Sequence, residues 1–135
     1  MMVYLDLRTS TGAEPNENYA RELLELFALG EGNYSEADVQ AAAAALTGWT
    51  LRRGEGVAFD ARLHDDTPRT LLGVDGVHDL DSVIAAVTAH PALPEFIAAS
   101  LGDELIGTST ADVVSGPAAA FADSACFRPS ARTCL

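Results

Sequence analysis

The sequence contains no lysine, and all of its permanent positive charge comes from eight arginines. Neither lysine nor arginine stands between Arg69 and Arg128, and the formal net charge of the 135 residues is −12. Nucleic-acid backbones and anionic membrane surfaces recruit clustered positive charge, so this composition argues against both as partners. We interpret the acidity as a solvated surface rather than as a cation-binding one.

Long apolar runs are also missing. No stretch approaches the roughly 18 consecutive apolar residues that mark a transmembrane helix, so the sequence predicts no membrane span. Met1–Asp6 has neither the basic start nor the apolar core of a signal peptide. With 48% hydrophobic and 21% charged residues, the chain has the composition of a single small domain with a core of its own.

The two cysteines, Cys126 and Cys134, lie near the end of the chain without a CxxC spacing or a paired histidine. Two unrelated thiols are therefore favoured over a disulfide or a metal site. The sequence also lacks a nucleophile elbow, a phosphate-binding loop, a dinucleotide fingerprint and an HExxH pair. No standard catalytic motif therefore assigns an activity.

The strongest helix signal spans residues 16–30. At roughly 100° per residue, four side chains share one polar arc, which we call the polar stripe: Asn18, Arg21, Glu22 and Glu25. Apolar residues, Leu23 and Phe27 among them, cover most of the remaining circumference. This pattern predicts a central helix over about residues 17–29 that is enclosed on most sides, with Asn16 as its N-cap and Gly30 at its end.

The remaining pattern predicts a mainly α fold of four to five helices packed around this central helix. Ser35 and Asp38 form a near capping box that opens a second helix, whose alanines at 41–45 permit close approach of a neighbour. A β-hairpin is predicted at about 49–60, with a possible short third strand at 69–72 and a glycine-rich turn at 73–78.

Two further helices are predicted toward the end of the chain. Asp79 or Asp81 caps the first, and Pro91 or Pro94 begins the second. Gly116-Pro117 should interrupt the helical pattern that follows. We therefore expect a helical domain over residues 1–107 and a poorly ordered or divergent tail over 108–135.

Several ordered motifs resemble the bacterial family catalogued as domain of unknown function 1800. They lie at 16–30, 33–39, 45–49, 64–66 and 69–73, and the resemblance covers about residues 3–100. It implies no established activity. Members of that family are usually several hundred residues long and often exported, so the resemblance implies that this chain is the middle of a longer, exported parent with further N- and C-terminal parts.

Two groups of residues could carry chemistry. Glu22 and Glu25 of the polar stripe, with His64 and Asp65 of a loop, are the candidate catalytic residues, because carboxylates and imidazole transfer protons. His64, Asp65 and Glu25 are the candidate ligands of a divalent metal. If both groups face one cleft, Arg21 balances their charge.

Each group also has a structural interpretation, which we favour. Arg21 could pair with Glu17 and Glu25 one helical turn away, while His64 could bind backbone and the aspartates form turn bonds. Trp49 is more typical of a core anchor than of a ligand platform. The preferred function is a structural or interaction module with a protein partner. The alternative is a metal-assisted, hydrolase-like enzyme with a divalent metal as cofactor.

Overall fold

Helices provide most of the regular structure. The computed structural model describes residues 10–52, 54 and 56–123. Within these ranges the helices are α1 (Glu17–Leu24), α2 (Glu36–Ala45), α3 (Leu80–Ala89), α4 (Ala92–Ile106) and α5 (Ala111–Asp123), and a π-helical turn (Glu25–Leu29) extends α1. The mainly α fold with a small β-hairpin is therefore confirmed.

The first helix begins and ends where the sequence predicts. The Asn16 side chain accepts a hydrogen bond from the Tyr19 amide at 3.0 Å, which caps α1. The enclosure expected around the helix is wrong toward its end, because Leu26 and Phe27 are 56% and 49% exposed. These residues lie in the π turn, which takes an extra residue per turn and so rotates them away from the positions that a regular helix gives.

The most deeply buried helix is α2. Ser35 and Asp38 form the predicted capping box at its start. Beyond Gln40 every residue of α2 is buried, as is Leu46 directly after it. Alanine has almost no side-chain bulk and a high helix propensity, so neighbouring elements approach this helix on all sides. In this respect α2, rather than α1, occupies the position at the centre of the core.

Two separate two-stranded sheets follow α2. Strands β1 (Trp49–Arg52) and β2 (Gly56–Phe59) form the predicted antiparallel hairpin, in which Trp49 faces Phe59. The third strand also exists, as β3 (Arg69–Leu71), but it pairs with β4 (Val74–Val77) instead of joining the hairpin. The glycine-rich segment expected as a turn is therefore mostly strand, with the reversal at Leu72 and Gly73.

Three helices follow the second hairpin. Asp79 caps α3 through the Ser82 amide, and Pro91 precedes α4. The predicted break at Pro117 is wrong, because α5 continues through it. Interior proline costs roughly 3 kcal/mol, and packing of α5 along α4, which buries Ala118, offsets this cost.

The core joins α1, α2, α3, the start of α4 and the β3–β4 hairpin. Its buried side chains other than alanine are Leu24, Leu29, Val39, Leu46, Leu71, Val77, Val83, Val87 and Leu93. No single helix among the described residues is long and apolar enough to cross a membrane, although α3 and α4 together, bent by 80°, meet that length and composition. The predictions for Cys126 and Cys134 lie outside the described residues, and the domain boundary at 107 stays a prediction.

Candidate functional site

The polar stripe is tied to the neighbouring helix. Arg21 donates two hydrogen bonds to the Glu36 carboxylate, at 2.7 and 3.0 Å, and so connects α1 to α2. This hydrogen-bonded contact raises the pKa of Arg21 and lowers that of Glu36. The intrahelical pairing expected for Arg21 is therefore replaced by an interhelical one. Asn18 is exposed and Glu22 is half-buried.

Glu25 has a phenol as its partner. The Tyr34 hydroxyl donates to Oε2 of Glu25 at 2.7 Å, across the turn between the π turn and α2. This hydrogen bond, with partial burial and the carboxylate charge, raises the pKa of Tyr34 to about 12. The phenol therefore remains a donor throughout the neutral range, and the pair fixes the turn against the end of the first helix.

Thr47 attaches the predicted His64–Asp65 loop to the end of α2. Its buried hydroxyl donates to the Ala44 carbonyl at 2.6 Å and accepts the Asp65 amide at 2.8 Å. The Thr47 carbonyl lies 3.0 Å from Nδ1 of His64. Because a carbonyl can only accept, Nδ1 carries the proton in this contact. Thr47 thus binds both His64 and Asp65, the two adjacent residues of the loop.

Gly48 lets the loop and the hairpin meet. It has φ +87°, and a Cβ atom there would lie 2.9 Å from Cε2 of Phe59 and 3.0 Å from Cβ of His64. The Asp60 amide donates to the Gly48 carbonyl at 2.8 Å. A side chain at this position would therefore push Phe59 and His64 away from the end of α2.

Asp65 has a cation of its own within the loop. Its carboxylate accepts the Thr67 amide at 3.0 Å and the Arg69 guanidinium at 2.6 Å. The hydrogen bonds from Thr67, followed by that from Arg69, lower the pKa of Asp65 to about 2. Asp65 is therefore ionised at neutral pH, and it lies in an aspartate turn of the kind that the sequence indicates.

The structure gives Glu25, His64 and Asp65 separate partners. Two cavities reach His64: one borders the hairpin and α3, and the other lies between residues 11–13 and 62–66. Glu22 and Glu25 line neither. Across the part of the chain that the structure describes, no three His, Cys, Asp or Glu side chains are grouped to hold a metal ion. The catalytic and metal-binding assignments of Glu22, Glu25, His64 and Asp65 stay predictions.

One polar contact had no signal in the sequence. Asp38, interpreted only as part of a capping box, also accepts the amide of Leu72 at 2.6 Å. Although burial opposes it, hydrogen bonds from Ser35 and Leu72 lower the pKa of this carboxyl. Leu72 has φ +52°, which is rare for a residue with a side chain. The bond crosses 34 residues of sequence, so local patterns do not reveal it.

Comparison with known proteins agrees with the sequence motifs. The family model described as "Protein of unknown function (DUF1800)" matches residues 1–129. The chain belongs to the DUF1800 family. No curated protein and no solved structure matches it. The DUF1800 match includes Thr47, Gly48, His64 and Asp65, so the loop contacts described above belong to the family region.

Proposed function

We propose that this DUF1800 chain is a structural or interaction module of a longer bacterial protein. The observation that carries the proposal is the separate pairing of the candidate catalytic groups. Glu25 binds Tyr34, His64 binds the Thr47 carbonyl and Asp65 binds Arg69. Such contacts fix turns and helix ends, whereas a catalytic site needs its groups to converge on one reacting atom.

Exposed apolar side chains support the interaction role. Leu101, Leu105 and Ile106 at the end of α4 are 54%, 77% and 66% exposed. A cavity of about 600 Å³ also lies between the π turn, α4 and α5, where Leu29 and Phe96 are among its lining residues. Apolar patches of this kind mark surfaces that contact other proteins, and a protein partner is the occupant that we propose.

A double-mutant cycle tests the structural role of the Glu25–Tyr34 pair. We expect Glu25→Gln and Tyr34→Phe each to lower the free energy of unfolding by about 0.5–1.5 kcal/mol. The double variant should lose less than the sum, because both changes remove one interaction. Tyr19→Phe is the control, since the Tyr19 hydroxyl is not the partner of Glu25. Chemical denaturation measures all four, and additivity of Glu25→Gln with Tyr34→Phe contradicts the proposal.

The same variants give a spectroscopic result. Tyrosinate absorbance should show one tyrosine titrating near pH 12 in the wild type. In Glu25→Gln its pKa should fall toward the ordinary value of about 10, because the neighbouring negative charge is gone. An unchanged titration would show that Glu25 does not hold the phenol.

The enzyme alternative has its own test. A divalent ion that binds only the native state raises the melting temperature, and the rise grows with the logarithm of its concentration relative to its Kd. Melts with Mn²⁺, Zn²⁺ or Mg²⁺ should match those in chelator at equal ionic strength if the chain is a module. A metal-dependent shift that His64→Ala abolishes would instead favour the metal-assisted hydrolase.

A further inference from the structure

A small cleft beside the hairpin is lined by three rings. The ring centroids of Trp49 and Phe59 lie 5.3 Å apart with 56° between the ring planes, and those of Phe59 and His64 lie 5.2 Å apart with 66°. Because both outer rings are turned against Phe59, the three form a corner rather than a flat stack. The cleft, which we call the aromatic cleft, has a volume of about 320 Å³.

Two carboxylates complete the lining. Asp79 and Asp81 border the aromatic cleft at the start of α3, and Ala45 and Leu80 supply apolar walls. The faces of aromatic rings carry partial negative charge, and Trp is the strongest attractor of cations among them. Rings and carboxylates therefore favour the same ligand charge, and the net charge of −12 adds to it.

The helix terminus at this cleft does not reverse that preference. The N-terminus of α3 attracts anions, but Asp79 already supplies one, since its side chain accepts the Ser82 amide at 2.9 Å. An anionic ligand would meet two carboxylates in the same cleft. His78 lies 3.8 Å from the Asp79 carboxylate and competes for it when protonated.

The walls also select the kind of cation. A bare ammonium group has three donors that need acceptors. Asp79 and Asp81 supply carboxylate acceptors at the start of α3, whereas the side of the cleft formed by Trp49 and Phe59 offers ring faces without acceptor atoms. A methylated ammonium group presents methyl groups, which pack on aromatic faces without unsatisfied donors. We propose that the aromatic cleft binds a methylated or quaternary ammonium group against the rings of Trp49 and Phe59, with Asp79 and Asp81 balancing its charge.

The exposure of the site makes it testable without unfolding the chain. Phe59 is 45% exposed and Asp81 is exposed, so substitutions at either position leave the core intact. Trp49 is the single tryptophan of the sequence, and its fluorescence reports directly on the cleft.

The first experiment compares choline with its neutral isostere, 3,3-dimethylbutan-1-ol, with NaCl at matched ionic strength as the control. We expect a saturable change in Trp49 fluorescence with choline and none with the alcohol or NaCl. Equal responses to choline and the alcohol would overturn the proposal, because the cleft would then recognise the shape of the ligand and not its positive charge. A choline response no greater than that of NaCl would also overturn it.

Variants locate the binding. Phe59→Leu keeps apolar volume but removes the ring face, and it should weaken choline binding by roughly 2- to 30-fold, the range expected for one cation–π contact. Asp81→Asn should weaken it severalfold, while the control Asp103→Asn, on exposed α4 surface, should not change it. Unchanged affinity in Phe59→Leu would overturn the assignment of the cleft.

A second pair of probes distinguishes the source of the cation. Acetyl-trimethyllysine amide carries the group as a modified protein side chain does, and choline carries it as a small molecule or headgroup does. Tighter binding of the lysine derivative would indicate a modified protein as the source, and tighter binding of choline a free or headgroup cation. Acetyl-lysine amide should bind more weakly than its trimethylated form, and equal binding would overturn the selection for methylation.

Discussion

At the scale of single residues, Thr47 and Gly48 organise the hairpin side of the molecule. The Thr47 hydroxyl and carbonyl bind the backbone of Asp65 and the ring of His64. Gly48 then lets Phe59 approach the end of α2. Two adjacent residues, Thr47 through its hydrogen bonds and Gly48 through its lack of a side chain, thus determine where the rings of His64 and Phe59 lie.

A matched pair of glycine substitutions measures the close approach at Gly48. Gly48 and Gly54 share φ +87°, but a Cβ at Gly54 would meet no atom within 4 Å. Gly54→Ala should therefore cost only the backbone strain, about 1–2 kcal/mol. Gly48→Ala should cost about 1–3 kcal/mol more, because the methyl group displaces Phe59 and His64. Chemical denaturation gives both values, and equal costs would contradict the packing described.

Acid titration tests the Asp65–Arg69 contact. The pKa of Asp65 falls from 3.8 to about 2 in the native state, so the native state gains stability above pH about 4 and loses it as the pH falls toward about 2. Arg69→Ala should raise this pKa and reduce the loss of stability in that window. Carboxyl NMR of Asp65 and acid denaturation measure the two effects. Arg62→Ala, which removes the Arg62–Asp60 ion pair, is the control and should leave Asp65 unchanged.

The sequence indicated these residues but not their partners. His64 and Asp65 stood out because imidazole and carboxylate are reactive groups, and the structural alternative of backbone and turn bonds followed from local rules. Thr47, 17 residues earlier, had no such signal. Its contacts depend on how the hairpin returns to α2, which a single sequence does not encode locally.

At the scale of elements, local signals predicted where the helices begin. They did not predict which residues are buried at the end of the first helix, where the helical period changes. Asn16, Ser35 and Asp79 cap helices through amides three residues ahead, so all the information lies within one turn. The π turn alters the rotation per residue after Glu25. A wheel of constant angle therefore predicted a buried Phe27, which the structure exposes.

A pair of leucines tests this account of α1 and its π turn. Leu24 is completely buried and Leu26 is 56% exposed. Leu24→Ala should lower the free energy of unfolding by about 2–5 kcal/mol, since it opens a cavity in the core. Leu26→Ala, the same chemical change two residues away, should cost well under half as much. Similar costs in denaturant melts would mean that the wheel prediction was correct after all.

At the scale of the whole molecule, the core is built from the part of the chain that precedes the middle of α4. Its buried members run from Ala20 to Leu93, and beyond them only Ala98, Gly102 and Ala118 are buried among the described residues. The mainly α class was predictable because it depends on many periodic residues together. The packing of α5 on α4 was not predictable, because Pro117 indicates a helix break by local rules. Tertiary contacts with α4 override that preference.

Truncation tests the predicted boundary at residue 107. Within the described part of the segment after Gly107, Ala118 is the one buried residue. Removing residues 108–135 should therefore lower the free energy of unfolding by less than Leu24→Ala does. The measurement is a urea melt of the two chains side by side. Loss of a cooperative transition in the shortened chain would show that α5 belongs to the folding unit.

The buried alanines of α2 also restrict how this sequence can change over time. Among the replacements that a single-nucleotide change of an alanine codon can give, valine, threonine, proline and aspartate or glutamate each add volume, a polar group or a helix break within a buried helix. Glycine and serine remain as the mildest replacements. We therefore expect a saturation library to retain fewer substitutions at residues 41–45 than on the exposed face of α5. This run of alanines would then accept substitutions more slowly than that face during evolution.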